Sequence, residues 1–427
     1  MMEKVIIASA VRTPIGSYLG VLSDVPAYKL GALVLTEAVR RAKVDPASVD
    51  EVIMGQSYQS GENVNIARMA LLAADWPVEV PGITLDRRCC SGLDAICFGA
   101  MKIMSGYAEI VVAGGVESMS RAELYVPGEY IKKGLGGKTD PKFGFMPKGH
   151  GALPMWGIPF FDRIQRARVM SQPIERFGEL NSMMSWAEIA AKQENITREA
   201  ADRWALRSQQ RAIAAIESGR FKEEIVPVVV PSGKGGAKGD PLVIDVDEPP
   251  RPDTSLEKLA RLPVVYENGV CTAGNSSTEN DGAAALILMT ATRASSLGIE
   301  PLGELVSFGV AGADPTLTYP AVPIAVKKAL DKAGLFMDDM DLIEIQEAFA
   351  VQLLADAKLL GLSAEDCDRK LNVNGSGVSL GHPIAATGAM RMVTLLHEMK
   401  RRNARYGLET ICGGGGLGIA AVVSRKP

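Results

Sequence analysis

Apolar positions along the chain keep two alternating rhythms. Short runs with a period of two, or apolar throughout, read as strands: "KVIIASA", "EVIMG", "EIVVAGG", "AAALILM" and "IAAVV". Between them lie stretches with helical spacing, and glycines collect where the two rhythms meet. That alternation predicts an α/β fold. The pattern also echoes itself. "AVRRAKVDPASVDEVIMGQ" (38–56) parallels "ALDKAGLFMDDMDLIEIQE" (329–347), each a helix end, an acidic turn and a strand. "SGLDAICFGAMKIMSGYAEIVVAGG" parallels "TGAMRMVTLLHEMKRRNARYGLETICGGG" in the same way. Similar segments separated by about 290 residues point to a duplicated α/β unit.

The segment from 122 to 279 breaks the echo. It contains one long amphipathic pattern opened by Thr197 and closed by Gly219, a Gly/Lys-rich stretch (232–240) and a proline-rich run near "DEPPRPDTS". This reads as a loop-rich insertion on a rigid scaffold, where binding groups tend to sit. The expected organisation is a first half of residues 1–121 with 280–299, a loop domain of 122–279, and a second half of 300–427. Within the insertion, 150–170 sets Trp156, Phe160, Phe161 and Ile164 against Arg163, Arg166 and Arg168. It is read as an amphipathic helix covering a pocket or a subunit interface, with contact to a membrane surface as the second reading.

Composition narrows the class. The 427 residues are 47% hydrophobic and 22% charged, the profile of a folded chain with more than one core. With 46 basic against 50 acidic residues and no block of one sign, a nucleic-acid partner is not expected. The strand pattern begins at Lys4, which leaves no room for a leader and makes a cytoplasmic location the expectation. The six cysteines (89, 90, 97, 271, 367 and 412) have neither disulfide-framework nor metal-ligand spacing. They are expected to be buried small residues or working thiols.

Candidate chemistry starts at "DRRCCSGLDAICFGA" (86–100). Leu93, Ile96, Cys97, Ala100, Met101 and Met104 follow a helical period, so Cys89 and Cys90 stand at the N-terminus of a buried helix. Free backbone N–H groups there favour a thiolate and can hold an oxyanion. Three further stretches carry reactive types. "NVNGSGVSLGHPIAATG" (372–388) holds His382 in a tight turn, "ICGGGGLG" (411–418) ends a strand in Cys412 and glycines, and "IQEAFA" (345–350) places Gln346 and Glu347 at a strand end. His397, among charged residues of a helical pattern, reads as solvent-exposed, and His150 has no evident role.

Taken in chain order (86–100, 345–350, 372–388, 411–418) the four motifs resemble the thiolase family, and so do "VRTPIGSYLG", "AGGVESMS", "GRFKEEIVP" and "TAGNSSTENDGAAA". The resemblance runs from residue 4 to the final strand. It implies a duplicated, five-layered αβαβα architecture with an inserted loop domain, and cleavage of a 3-ketoacyl-CoA by CoA, or the reverse Claisen condensation. It implies Cys89 as nucleophile, with Cys90 a packing residue, His382 as its activating base and Cys412 as the acid/base at the substrate α-carbon. Backbone N–H groups of Cys89 and Gly414 would form an oxyanion hole, and Gln346 takes the place of the family's water-holding asparagine. CoA, a substrate and not a resident cofactor, would meet Arg251, Ala273 and Ser277, with Met183, Ala348 and Phe349 at the substrate. No metal is implied. A homodimer or homotetramer and a place in fatty-acid β-oxidation are expected by the same resemblance.

The sequence departs from the family at Gln346, at Asp86 where asparagine is usual, at Ser182 where acetoacetyl-CoA thiolases often have histidine, and along "DPTLTYPAVP" (314–323). The last two lie near the acyl pocket and point to a medium-length, branched or bulky substrate. A biosynthetic acetoacetyl-CoA thiolase and a non-catalytic acyl-CoA-binding homologue are the alternatives. A ketoacyl-synthase type is disfavoured by the second cysteine.

Overall fold

Strands β1 (Val5–Arg12), β2 (Glu51–Gly55), β3 (Gly82–Leu85), β4 (Ile110–Ser118), β5 (Asn280–Thr290), β6 (Gly303–Gly312), β7 (Leu342–Ile345), β8 (Tyr406–Gly413) and β9 (Leu417–Ser424) form one sheet in the order β7-β8-β9-β6-β1-β5-β4-β2-β3 in a computed structural model. A two-residue strand, Gly16–Ser17, adds to β5. The structure describes residues 3–127, 152–155, 158–178, 183–230, 240–317 and 319–425.

The repeated rhythm corresponds to a repeated topology. In the first half β2 runs parallel to β4, and β4 antiparallel to β5. In the second, β7 runs parallel to β8, and β8 antiparallel to β9. β1 and β6 join the halves through only three paired residues, Val5, Ile6 and Ile7 with Leu305, Glu304 and Gly303. The first half has a fifth strand in β3, parallel to β2. Its counterpart in the second half is a single parallel bridge between Ile343 and Leu371.

Alternation along each strand sorts side chains into layers. On β2, Val52 and Met54 enter one hydrophobic cluster and Ile53 enters another. The outer cluster of the first half is closed by α1 (Ala27–Ala42) and α2 (Ile66–Ala73). The central cluster holds α3 (Ser91–Met104) and the long helix Ile384–Arg402, both packed against strands of both halves. The third cluster is closed by the helices Ala321–Ala333 and Ala350–Leu359. The result is a layered αβαβα arrangement.

The 122–279 segment supplies helix Met183–Glu194 and helix Arg198–Glu217, the latter capped by the Thr197 hydroxyl as its sequence predicts. The 150–170 reading needs correction. Ala152–Met155 and Ile158–Asp162 are antiparallel strands, and only Arg163–Val169 is helical, capped by Asp162. Phe161, Ile164 and Val169 are buried within the fold, so they do not form an apolar face for a membrane. Trp156, His150, Ser182 and the Gly/Lys-rich stretch 232–239 lie outside the described residues. No described helix is long and apolar enough to cross a membrane.

His397 is also placed differently from expectation. It is buried, and its Nε2 lies 3.0 Å from the Ala10 carbonyl oxygen. The charged run that made it look exposed belongs to the last turns of the central helix, one face of which still packs on β1.

Candidate active site

The first half presents Cys89 on a tight turn between β3 and α3. Arg88 adopts a left-handed backbone with φ of 55°. The turn is tied from both sides. The Ser91 hydroxyl accepts the Arg87 N–H at 2.8 Å and donates to the Arg88 carbonyl at 2.6 Å, while Asp86 accepts the Arg88 N–H at 2.8 Å. Cys89 faces a cavity, whereas Cys90 sits beneath it, fully buried, with its Sγ 3.5 Å from the Ile411 carbonyl.

The second half brings three groups to the same cavity: His382, Cys412 and Gly414. Cys412 ends β8, and the glycines that follow turn the chain into β9, with φ of 88° at Gly415 and 77° at Gly416. The turn directs the Gly414 N–H at the Cys89 sulfur, a contact that favours the thiolate. His382 follows Gly381 (φ 90°), and its backbone N–H donates to Asn280 Oδ1 at 2.8 Å. Its Nδ1 lies 2.7 Å from the Thr387 hydroxyl, so Nε2 is the ring nitrogen left for chemistry. Sequence reasoning missed Thr387. The signal was a hydroxyl one helical turn into the segment that follows Gly-His-Pro.

Two glycines let the halves meet. A Cβ on Gly92 would lie 2.6 Å from the Ala385 carbonyl oxygen, and one on Gly388 would lie 2.8 Å from Leu93 Cβ. Such contacts are not tolerated, so glycine at these positions allows the N-termini of the central helices to converge.

Burial sets the resting protonation. It pushes the Cys89 thiol up to about 11, against the pull of the Gly414 N–H and of Arg88. The thiolate expected from the helix N-terminus is therefore not the resting form, because desolvation outweighs the dipole. Cys412 is also raised well above the usual thiol range, by burial and by the neighbouring Cys89. His382 is pushed down to about 3 by burial, then by the positive charges of Arg391 and Arg168. At neutral pH the site holds two thiols and a neutral imidazole, a set that can pass protons without a standing charge.

Met183, Ser277, Ala348 and Phe349 line the same cavity, together with Tyr58, Met119, Met184 and Ile384. Arg251 and Ala273 line a neighbouring cavity, and Thr278 belongs to both walls. Gln346 is not brought in. It is buried outside the cavity lining, with Oε1 accepting from Arg391 Nε at 3.3 Å and Nε2 without a hydrogen-bond partner among the described residues. Its neighbour Glu347, which the sequence marks only as half of a Gln-Glu pair at a strand end, has a bracing role. Its buried carboxylate accepts from Trp204 (2.9 Å), Ser208 (2.6 Å), Asn372 (2.9 Å) and the Val378 N–H (3.1 Å), tying the inserted helix to the loop that leads to His382.

Known proteins match over the whole length. Residues 5–292 match the family model described as Thiolase, N-terminal domain, and residues 299–425 that of Thiolase, C-terminal domain. An acetyl-CoA acetyltransferase of Pseudomonas aeruginosa is 42% identical over 430 residues, covering 99% of this chain and 100% of the relative. A probable acetyl-CoA acyltransferase of Staphylococcus epidermidis is 38% identical over 425 residues, 99% of each chain. Among solved structures, Bacillus anthracis acetyl-CoA acetyltransferase superposes with a TM-score of 0.87 at 40% identity, covering 99% of both chains. Human mitochondrial 3-ketoacyl-CoA thiolase gives 0.86 at 35% identity, covering 100% of this chain and 99% of its own.

Proposed function

Because the chain belongs to the thiolase family and is an acyltransferase, we propose that it cleaves a medium-length, branched or bulky 3-ketoacyl-CoA with CoA, or runs the reverse condensation, through an acyl thioester on Cys89. The observation that carries this reading is the convergence of Cys89, His382, Cys412 and Gly414 on one cavity. In thiolysis, His382 Nε2 takes the Cys89 proton and the sulfur attacks C3 of the substrate. The C2–C3 bond breaks, C2 takes the proton of Cys412, and acetyl-CoA leaves. Cys412 then removes the proton of an incoming CoA thiol, which attacks the acyl group. Cys89 leaves as thiolate and recovers its proton from His382. The N–H groups at Cys89 and Gly414 would hold the oxygen charge that develops on the acyl carbon.

The apolar walls from Met119, Met183, Met184, Phe349 and Ile384 support a substrate larger than an acetoacetyl group. The adjoining cavity, with Arg251, Lys258, Ala273 and Ser276, suits the CoA arm and its phosphates. In this reading 122–279 is the CoA-carrying loop domain, between a first half of 1–121 with 280–299 and a second half of 300–427. A homodimer or homotetramer is part of the proposal, for which the open edge of β3 offers a pairing surface. So are a cytoplasmic setting and a role in fatty-acid breakdown. The acetyl-CoA acetyltransferases among the bacterial relatives favour acetoacetyl-CoA as the second substrate reading.

The test is CoA-dependent thiolysis of a panel running from acetoacetyl-CoA to longer and branched 3-ketoacyl esters, by wild type and Cys89→Ala. Expected is best turnover on a longer ester, reduced on the order of 10⁴-fold in the variant. Best turnover on acetoacetyl-CoA would replace the substrate reading. Binding of CoA with no turnover on any ester would leave a non-catalytic acyl-CoA-binding protein.

A further inference from the structure

Around the reacting cavity three of the described arginines have carboxylate partners. Arg87 meets Asp94 at 2.8 Å, Arg163 meets Glu123 at 2.5 Å and Arg168 meets Glu279 at 2.5 Å. Arg88 lines the cavity beside Cys89 and has no carboxylate partner among the described residues. The hydrogen bond its guanidinium makes there is Nη2 to the Ala167 carbonyl at 3.4 Å, the long end of the range. A guanidinium has five N–H donors in a fork that fits a carboxylate.

Two further observations bear on what this cation is for. The backbone of Arg88 is left-handed, a conformation in which glycine or asparagine carries little steric cost and arginine carries more. A long charged side chain is therefore held at a position whose backbone would favour a smaller residue. The charges lining the cavity, Arg88 and Arg168 against Glu279, also leave one positive charge uncompensated. Tyr58, Met119, Ala167 and Ile384 supply an apolar wall around it, suited to the methylenes of a chain.

We propose that the cavity selects 3-ketoacyl-CoA esters whose acyl chain ends in a carboxylate, and that Arg88 binds that terminal group. This rests on the thiolase reading and narrows its substrate class. Cys89 would hold C3, the apolar wall would guide the intervening methylenes, and the guanidinium would receive the distal carboxylate. A charge-assisted hydrogen bond at this position favours the acid-ended ester by about tenfold or more over an alkyl ester of equal length. The preference should weaken as salt is raised.

The experiment compares 3-oxoadipyl-CoA with 3-oxohexanoyl-CoA, and 3-oxosuberyl-CoA with 3-oxooctanoyl-CoA, for wild type, Arg88→Lys and Arg88→Gln. Expected is a wild-type kcat/KM ratio favouring the acid-ended member of at least one pair by about tenfold or more. Arg88→Gln should collapse that ratio mainly through KM, and Arg88→Lys should keep part of it. A wild-type ratio at or below one for both pairs overturns the proposal. An equal fall in kcat on all esters in Arg88→Gln also overturns it, assigning Arg88 to the sulfur and not to the chain end. Binding of the same four esters to Cys89→Ala is measured in parallel. If wild type turns over nothing yet Cys89→Ala binds the acid-ended esters more tightly, the reaction reading fails and the recognition stands.

Discussion

The two halves share a topology but fill its equivalent central positions with opposite chemistry. The register that pairs Ile53 of β2 with Ala113 of β4 pairs Glu344 of β7 with Glu409 of β8. Ala95, one turn into α3, corresponds by the sequence echo to Arg391 of the long central helix. In the first half these positions are apolar and belong to the central hydrophobic cluster. In the second half an arginine and two glutamates are buried in their place. Glu344 Oε2 and both Glu409 oxygens have no hydrogen-bond partner among the described residues. The Arg391 guanidinium donates to the Gly381 carbonyl at 2.9 Å and to Gln346. The first half therefore packs its helix behind Cys89 with apolar side chains alone. The second buries polar groups instead, and one of them, Arg391, braces the loop carrying His382.

The comparison breaks most visibly at Arg391. Changing it alone to methionine removes the buried hydrogen bonds to the Gly381 carbonyl and to Gln346 and should cost about 1–3 kcal/mol in urea unfolding, with turnover falling as the Gly381–His382 loop loosens. Giving the second half the first half's chemistry, with Arg391→Met, Glu344→Ile and Glu409→Leu together, should recover most of that loss or exceed wild type in stability. Turnover should stay low, because the brace on Gly381 is gone. A triple variant less stable than Arg391→Met would show that the buried polar groups hold the fold itself and not only the loop.

A smaller contrast lies at the start of the two central helices, where Ser91 corresponds to Thr387. The Ser91 hydroxyl bonds backbone groups of the Cys89 turn, whereas the Thr387 hydroxyl meets the imidazole of His382. Thr387→Val removes the contact that fixes the ring and its tautomer. It should lower kcat/KM by about 10- to 100-fold with little change in KM, and Thr387→Ser should restore most of it. Ser91→Ala should act on stability instead, by about 1 kcal/mol. Equal effects of Thr387→Val on stability and rate would assign this hydroxyl to packing.

The same contrast explains what could be read from sequence. Strand rhythm exposed the duplication, and the small-residue motifs brought Cys89, His382 and Cys412 to notice because reactive side chains between glycines and prolines lack a packing explanation. Positions whose role depends on direction were not legible. Gln346 stands in the right motif, yet its side chain turns to Arg391, and no periodicity reports which way an amide at a strand end points. His397 looked exposed because its charged neighbours lie on other faces of its helix, while its own face meets β1. At 155–170 the alternation of Phe160, Phe161 and Ile164 fits a helix or a strand, and a hairpin followed by one short helix was the outcome. Thr387 and Glu347 act through contacts distant in sequence or along a turn, which a linear pattern does not contain.

The last effect is read by pH, and both halves contribute to it. Burial raises Glu117, at the end of β4 behind Cys89, to about 8, and raises Glu344 on β7 to about 8. A carboxyl whose folded pKa lies above its unfolded value contributes stability that is complete below the unfolded pKa and is lost as pH rises through the folded one. His382 works in the other direction. Its folded pKa of about 3 lies below the unfolded value, so its contribution is complete above the unfolded pKa and is lost as pH falls toward 3. Between the unfolded carboxyl and histidine values these slopes oppose one another. From about pH 6.5 to 8 the histidine no longer contributes a slope, and stability should fall as pH rises, by up to about 1.4 kcal/mol per pH unit for each carboxyl. Urea unfolding at a series of pH values checks this. Glu117→Gln should remove part of the fall above pH 6.5, because its amide takes no part in titration. His382→Asn should flatten the acid side while leaving the alkaline fall in place. A wild-type stability that rises from pH 6.5 to 8 would mean that Glu117 and Glu344 are ionised in the folded protein. The second half would then be paired more fully with Arg391 than its unpartnered oxygens indicate, and its contrast with the apolar positions of the first half would widen.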